Sequence, residues 1–348
     1  MYTRTPNTEH RTHYFDFLRV LAAFSVVVSH TPDYHWLLKG ADIFSSDWHV
    51  YLVYTALVRW PVPVFVMMSG ALFLSKDIPI KKIYSKYVFR IFTAFLFWTC
   101  IYAAKEFVKT RDAAHAFSLF VHPLHHLWFM PMIAALYMVV PLMKKFTESK
   151  SLMKYFLALS LVFAVLVPFL TKLVNIFPSQ YSTFAADTLK MINVPFAGSM
   201  TGYFLLGYYL NTEDISAKTE RIIYITGIAA FVMSIVMTII ESRIEGNPVI
   251  VFYSFESIYI LLECTAVFVF FKKHFNRGNK IVRILSDYSF GIYLAHDMAL
   301  SVLHMLGLDY GAFNAVLYVP VTGIAAYVLS FISTWILIRI PVLKKYVV

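Results

Sequence analysis

The first residues that suggest chemistry lie in one hydrophobic segment near the start of the chain. Residues 14–32 are almost wholly apolar between Phe15 and Ser29, yet Arg19 lies inside this run and His30 ends it. The two polar residues are eleven positions apart, and eleven steps of about 100° return a helix to within about 20° of the same face. The spacing therefore predicts a guanidinium and an imidazole on one helical stripe, separated by roughly 16 Å. An imidazole suits proton transfer near neutral pH, and a cation at membrane depth needs a partner or a function.

A second candidate residue, Arg59, comes just before two prolines. Pro61 and Pro63 each remove a backbone donor, so they predict a break in the middle of an apolar helix. A broken helix at membrane depth is tolerated where it lines a cavity. Alternatively, Arg59 and Arg19 neutralise the helix bundle by pairing with acidic side chains. The acidic candidates are Asp16, Glu256 and Glu263, of which the last two are seven residues apart and are predicted to share one helical face.

Histidines form a third group of candidates. His122, His125 and His126 are close together, but no acidic or cysteine ligand stands beside them, so we expect no metal site and interpret His126 as a polar group at the mouth of a pocket. His296 and Asp297 are further ionisable residues within a predicted apolar helix, and His296 is either functional or a buried histidine of the core.

The composition shows which elements must position these residues. The chain has 348 residues, of which 59% are hydrophobic and only 14% are charged, whereas soluble domains carry about 25% charge. These values predict an all-α polytopic membrane protein. The net charge of +10 does not indicate nucleic acid, because membrane proteins concentrate Lys and Arg on the cytoplasmic side. The segment before the first apolar run is polar and no cleavage site follows that run, so we interpret the first helix as a retained span.

The hydrophobic segments predict about ten transmembrane helices in a single membrane domain, 1–348. The excess of Lys and Arg in alternate loops predicts that both termini are cytoplasmic, which places His30 at the outer end of its helix. The predicted spans are 14–32, 50–74, 87–108, 127–143, 152–174, 194–210, 222–241, 249–271, 286–305 and 313–338.

Four short motifs, in this order, resemble the acyltransferase-3 family of integral membrane O-acyltransferases. In its compact length the chain resembles the stand-alone branch of that family. This branch includes the enterobacterial-common-antigen O-acetyltransferase and the intercellular-adhesin modifying proteins. The motifs are Asp16-Phe-Leu-Arg19 with His30 eleven residues after the arginine, Arg59-Trp-Pro-Val-Pro63 continuing to Ser69-Gly70, His126-Leu-Trp128 with Tyr137 and Pro141, and Ser289-Phe-Gly291-Ile-Tyr293-Leu-Ala-His296.

The resemblance implies transfer of an acyl group from cytoplasmic acyl-CoA, usually acetyl-CoA, to a hydroxyl of a surface polysaccharide or its lipid-linked precursor. It implies a multi-pass protein of the bacterial cytoplasmic membrane, in contact with membrane lipid. The sequence is also compatible with a homo-oligomer. The family's essential arginine and histidine correspond to Arg19 and His30. No metal is implied, and succinyl remains open as the acyl group.

We predict specific roles for three of these residues. His30 would act as general base or would itself be acylated first, Arg59 would stabilise the oxyanion or orient the sugar, and Arg19 would hold polar groups of the donor or pair with Asp16. Candidate substrate-binding residues are Trp128, His126, Tyr293, His296 and Glu256. Candidate acyl-CoA-binding residues are Lys81, Lys82, Lys86, Arg90 and Ser69.

Transport is the alternative function. About ten spans, a broken second helix and buried charges also suit a polysaccharide or small-solute exporter. Labelled acetyl-CoA distinguishes the two, because a transporter transfers no label to a glycan.

Overall fold

The computed structural model describes residues 12–32, 41–122, 126–175, 198–309 and 312–348. Within these ranges the regular structure is entirely helical. His125 and residues 194–197 of the predicted sixth span lie outside them. The helices are α1 (His13–His30), α2 (Ser46–Leu57), α3 (Pro61–Leu74), α4 (Ile80–Thr110, with a π-helical turn at Ile83–Val88), α5 (Ala113–Ser118), α6 (Phe129–Met138), α7 (Val140–Thr147), α8 (Lys150–Ser160, continuing through the π-helical turn Leu161–Leu166 to Val167–Asn175), α9 (Ser199–Thr212), α10 (Ala217–Glu245), α11 (Ile258–His274), α12 (Lys280–Met305), α13 (Ala315–Leu337) and α14 (Pro341–Tyr346).

Each predicted span coincides with a helix or a helix pair in the described residues, but not all of these helices are long and apolar enough to cross a membrane. Six helical segments meet that requirement, or seven if the bent pair α6–α7 is one span. Helices α1 and α12 are not among them because they carry polar side chains along their length. The predicted number of about ten, and the position of the termini, remain predictions.

The two helix breaks follow from prolines. Helix α2 ends at Leu57, and α3 begins with Pro61 in its first turn, where a missing backbone donor costs nothing. Between α6 and α7 the chain bends by 60°, and Pro141 again lies in the first turn of the second helix. The first break leaves Arg59 in the short segment between two helices.

Helix α1 lies at the centre of the bundle. It packs against α3, α11, α12 and α13. Near its start, the buried carboxylate of Asp16 accepts a hydrogen bond of 2.8 Å from the hydroxyl of Ser286 on α12. Because α1 touches so many neighbours, its polar stripe faces protein and not lipid.

One expectation about an element is corrected. Helix α11 begins at Ile258, after a short 3₁₀ turn at Val251–Tyr253, so Glu256 precedes the helix. Glu256 and Glu263 therefore do not share a helical face. Ser257 caps α11 by accepting a hydrogen bond from the backbone of Tyr259, which sets the start of this helix.

Candidate active site

Two adjoining cavities lie along the polar stripe of α1. The first, which we call the Arg19 chamber, has a volume of about 340 Å³. Helices α1, α3, α4, α6 and α12 form its walls. Its polar lining residues are Arg19, Ser69, Tyr87, Arg90, Tyr137, Ser289 and Tyr293.

The second cavity, which we call the His30 chamber, has a volume of about 200 Å³. It is lined by the end of α1, the break between α2 and α3, the segment before α6 and the turn before α11. Its polar and aromatic lining residues are Ser29, His30, Arg59, His126, Trp128, Phe255 and Tyr293.

Arg19 combines a structural partner with access to its chamber. One guanidinium nitrogen lies 3.5 Å from the carboxylate of Asp16, one helical turn earlier. Asp16 is buried whereas the Arg19 side chain is 32% exposed. The ion pair is the one that the sequence suggested as an alternative for Arg19, and the arginine nevertheless lines the cavity.

The far wall of the Arg19 chamber carries hydroxyl groups. The hydroxyl of Ser69 lies 3.4 Å from that of Tyr137, whose ring stacks on Phe73 at 4.1 Å. Arg90 donates to the backbone oxygen of Val348 at 2.6 Å, and its guanidinium lies over the Phe290 ring. Two arginines and the hydroxyl groups of Ser69 and Tyr137 thus face one largely apolar space, an arrangement that suits a ligand with an apolar chain and polar or anionic groups.

Three imidazoles meet beside the His30 chamber. The His296 ring centre lies 5.0 Å from that of His30 and 4.8 Å from that of His126, and the outer pair is 6.4 Å apart. His296 is completely buried. Among the described residues, no group of histidine, cysteine and acidic side chains has the arrangement of a metal site.

The protonation state of His296 follows from its contacts. Its Nδ1 lies 2.5 Å from the backbone carbonyl oxygen of Tyr293. A carbonyl only accepts hydrogen bonds, so Nδ1 must carry a proton. The buried Nε2 of His296 makes no hydrogen bond with the residues that the structure describes. In neutral His296 this nitrogen is an acceptor, and its ring contacts His30.

Arg59 is oriented by the chain that precedes α11. Its Nε donates to the carbonyl oxygen of Tyr253 at 3.0 Å, and the guanidinium carbon lies 5.5 Å from the centre of the Phe255 ring. Trp128, which is 37% exposed, is tilted by 30° to the same Phe255 ring at 5.8 Å. Exposed aromatic faces beside a guanidinium form a surface suited to a polar ring such as a sugar.

Four side chains line both chambers and therefore lie between them. They are Val26, Val62, Phe129 and Tyr293, from α1, α3, α6 and α12, and we call them the shared layer. The two chambers thus follow one another along α1 from Arg19 to His30, and the shared layer separates them.

Comparison with known proteins decides the family. The model of the acyltransferase domain family, acyltransferase-3, matches residues 12–338, which is nearly the whole chain. The chain belongs to the acyltransferase-3 family. Neither the curated proteins nor the solved structures contain a match to it. The family match supports a membrane acyltransferase and does not distinguish the stand-alone branch.

In this acyltransferase, not every residue suggested by sequence reaches a chamber. Glu256 is exposed in the turn before α11 and lines neither cavity. Lys81, Lys82 and Lys86 are exposed on the first turns of α4 and also line neither cavity, although Tyr87 and Arg90 further along that helix do. The candidate residues that line a chamber are Arg19, Ser69 and Arg90 in one, His30, Arg59, His126 and Trp128 in the other, and Tyr293 in both.

Sequence reasoning missed several lining residues of the acyltransferase. Val26, Val62 and Phe129 drew no attention because they are apolar residues in apolar segments. Helical spacing was the available signal for Val26, which precedes His30 by four residues in α1. Tyr87 precedes Arg90 by three residues in the same way. Val62 lies between the two prolines of the predicted helix break, and that position was its signal.

Proposed function

We propose that the protein transfers an acyl group, acetyl, from cytoplasmic acyl-CoA to a hydroxyl of a cell-surface polysaccharide or of its lipid-linked precursor in the bacterial cytoplasmic membrane. The observation that carries the proposal is the pair of adjoining cavities, with Arg19 in one and His30 in the other. A reaction between a donor and an acceptor that enter from opposite sides of the membrane needs such an arrangement.

The Arg19 chamber receives the donor in this proposal. Its largely apolar lining suits the pantetheine arm, and Arg19, Arg90 and Ser69 supply hydrogen bonds to the polar groups of that arm. Exposed lysines at the start of α4, which include Lys81, Lys82 and Lys86, attract the nucleotide phosphates. The predicted cytoplasmic position of these lysines matches a cytoplasmic donor.

The His30 chamber receives the acceptor. A sugar ring rests on Trp128, and Arg59 orients the sugar or stabilises the oxyanion that develops on the carbonyl. His30 removes the proton from the attacking hydroxyl. The oxygen forms a bond to the thioester carbonyl carbon, the carbon–sulfur bond breaks, and the proton passes to the leaving thiolate of coenzyme A.

The family match favours this activity over transport. A carrier of polysaccharide or small solutes needs no acyl donor, whereas the matched family is one of acyltransferases. The decisive measurement is therefore chemical transfer.

The test uses inverted vesicles of the native membrane, which expose the cytoplasmic face and contain the acceptor. Addition of [¹⁴C]acetyl-CoA to vesicles with the wild-type protein labels the saccharide fraction. The His30→Ala variant, at equal abundance in the membrane, loses roughly 10²–10⁴ in rate because positioned proton transfer is worth that much.

His115→Ala is the matched control, since His115 is exposed on α5 and lines neither chamber. It retains the wild-type rate. Labelling by the His30→Ala variant at that rate would remove the role of His30, and no label with the wild-type protein would remove the acyltransferase function.

A further inference from the structure

The shared layer lies between the two chambers, and four helices each contribute one residue to it. On α1, Arg19, Val26 and His30 follow at intervals of seven and four residues, which keeps them on one face. Val26 therefore lies above Arg19 and one turn below His30. A group that moves from one chamber to the other along this face passes Val26.

Hydrogen bonds and a ring contact hold Tyr293 of the layer in place. The Tyr293 hydroxyl donates to the backbone oxygen of His126, and the Tyr293 carbonyl accepts from Nδ1 of His296. The ring of Tyr293 meets that of Phe129 edge to face at 5.8 Å. Because the Tyr293 hydroxyl is hydrogen-bonded and its ring packs against Phe129, rotation of this side chain does not readily open the layer.

The chemistry of the layer differs from that of the chambers. Its four side chains carry no charge, and the one polar atom among them, the Tyr293 hydroxyl, is engaged by His126. Arginines lie on both sides, Arg19 in one chamber and Arg59 in the other. A carboxylate that crosses the layer gives up its contacts with water and with the arginines of both chambers. No charged or free polar group of the layer replaces those contacts, so the crossing is costly.

We propose that the shared layer selects the acyl group: it admits small uncharged acyl groups such as acetyl and rejects branched or negatively charged ones such as isobutyryl and succinyl. The inference rests on the proposed function, because the acyl end of the thioester must cross the layer to reach the acceptor hydroxyl beside His30. Branched groups are larger than acetyl, and buried side chains such as Val26 and Tyr293 adapt poorly to extra atoms. The succinyl group is rejected because its carboxylate is negatively charged and the layer offers it no partner.

The test compares acetyl-CoA, isobutyryl-CoA and succinyl-CoA in the same inverted vesicles. Val26→Ala and Val62→Ala widen the layer from two different helices. We expect each to raise the ratio of isobutyryl to acetyl transfer by about tenfold or more, because one methylene in an apolar pocket is worth at least about tenfold. A ratio measured on one preparation is independent of how much of the variant folds.

Val27→Ala is the matched control. Val27 is the next residue on α1 and is fully buried, but it packs with Ile292 and Leu300 and lines neither chamber. In the Val27→Ala variant the ratio of isobutyryl to acetyl transfer stays at the wild-type value. In the wild-type protein we expect succinyl transfer to be at least about tenfold slower than acetyl transfer.

Two results would overturn the layer's role while leaving the proposed function intact. One is acetyl transfer with an isobutyryl ratio that is the same in Val26→Ala, Val62→Ala and Val27→Ala. The other is succinyl transfer by the wild-type protein as fast as acetyl transfer. Absence of transfer from any of the three donors by the wild-type protein would overturn the layer's role and the proposed function together.

Discussion

At the scale of residues, His296 is the side chain whose environment says most about the site. It is completely buried between His30 and His126, its Nδ1 proton is committed to the Tyr293 carbonyl, and its Nε2 has no hydrogen-bond partner among the described residues. Leaving a buried nitrogen unsatisfied is costly unless a ligand satisfies it. We therefore expect Nε2 to accept a hydrogen bond from His30 during turnover, since the two rings are in contact.

The substitution His296→Asn tests this expectation. The shorter amide keeps a donor close to the position of Nδ1, so the bond to Tyr293 is retained, while Nε2 is lost. Acyl transfer should fall by about 10² or more with normal abundance in the membrane. The measurement is the initial rate of label transfer from acetyl-CoA.

The control for this substitution is His304→Asn, two turns further along α12 and outside both chambers. It should behave as wild type. If His296→Asn transfers label as fast as His304→Asn, His296 has a packing role only.

At the scale of elements, the contact between α3 and α9 holds the wall of the Arg19 chamber. A Cβ atom at Gly70 would lie 1.7 Å from the backbone oxygen of Phe204, and one at Gly207 would lie 2.0 Å from that of Met67. The two backbones therefore touch at two points, as is common where glycines allow transmembrane helices to approach. Ser69, beside Gly70, lines the chamber.

Gly70→Ala should separate α3 from α9 and destabilise the protein. Overpacking costs about 1–3 kcal/mol, and a clash with backbone lies at the upper end of that range because no side chain can rotate away. The midpoint of thermal unfolding in detergent should drop by several degrees. Gly323→Ala, whose Cβ would lie 3.0 Å from the terminal Cγ2 of Val28, should change it much less; equal effects of the two substitutions would contradict the close approach.

At the scale of the whole molecule, the arrangement of the two chambers matches a directional reaction. The Arg19 chamber lies toward the end of α1 that the charge bias places in the cytoplasm, and the His30 chamber lies toward the other end. In the proposed function the donor and the acceptor meet inside the bundle, where the arginines act more strongly than they would in bulk water.

This orientation predicts the result of reporter fusions. A reporter that is active only outside the cytoplasm should be inactive when fused after Val348 and active when inserted beside Asp112, between α4 and α5. Activity after Val348 would reverse the orientation, and the donor chamber would then face away from acyl-CoA. A reporter that is active only in the cytoplasm serves as the control, with the opposite pattern expected.

The sequence by itself determined the helical membrane fold, the break at Pro61 and the common stripe of Arg19 and His30, because these depend on hydrophobicity, proline geometry and helical period. It did not determine which side chains meet across helices. The exposed position of Glu256 depends on where α11 begins, and the ring contacts of His296 depend on how α1, α6 and α12 are packed. The shared layer was decided by tertiary structure alone, since Val26 and Val62 differ from other valines of the chain only in what lies beside them.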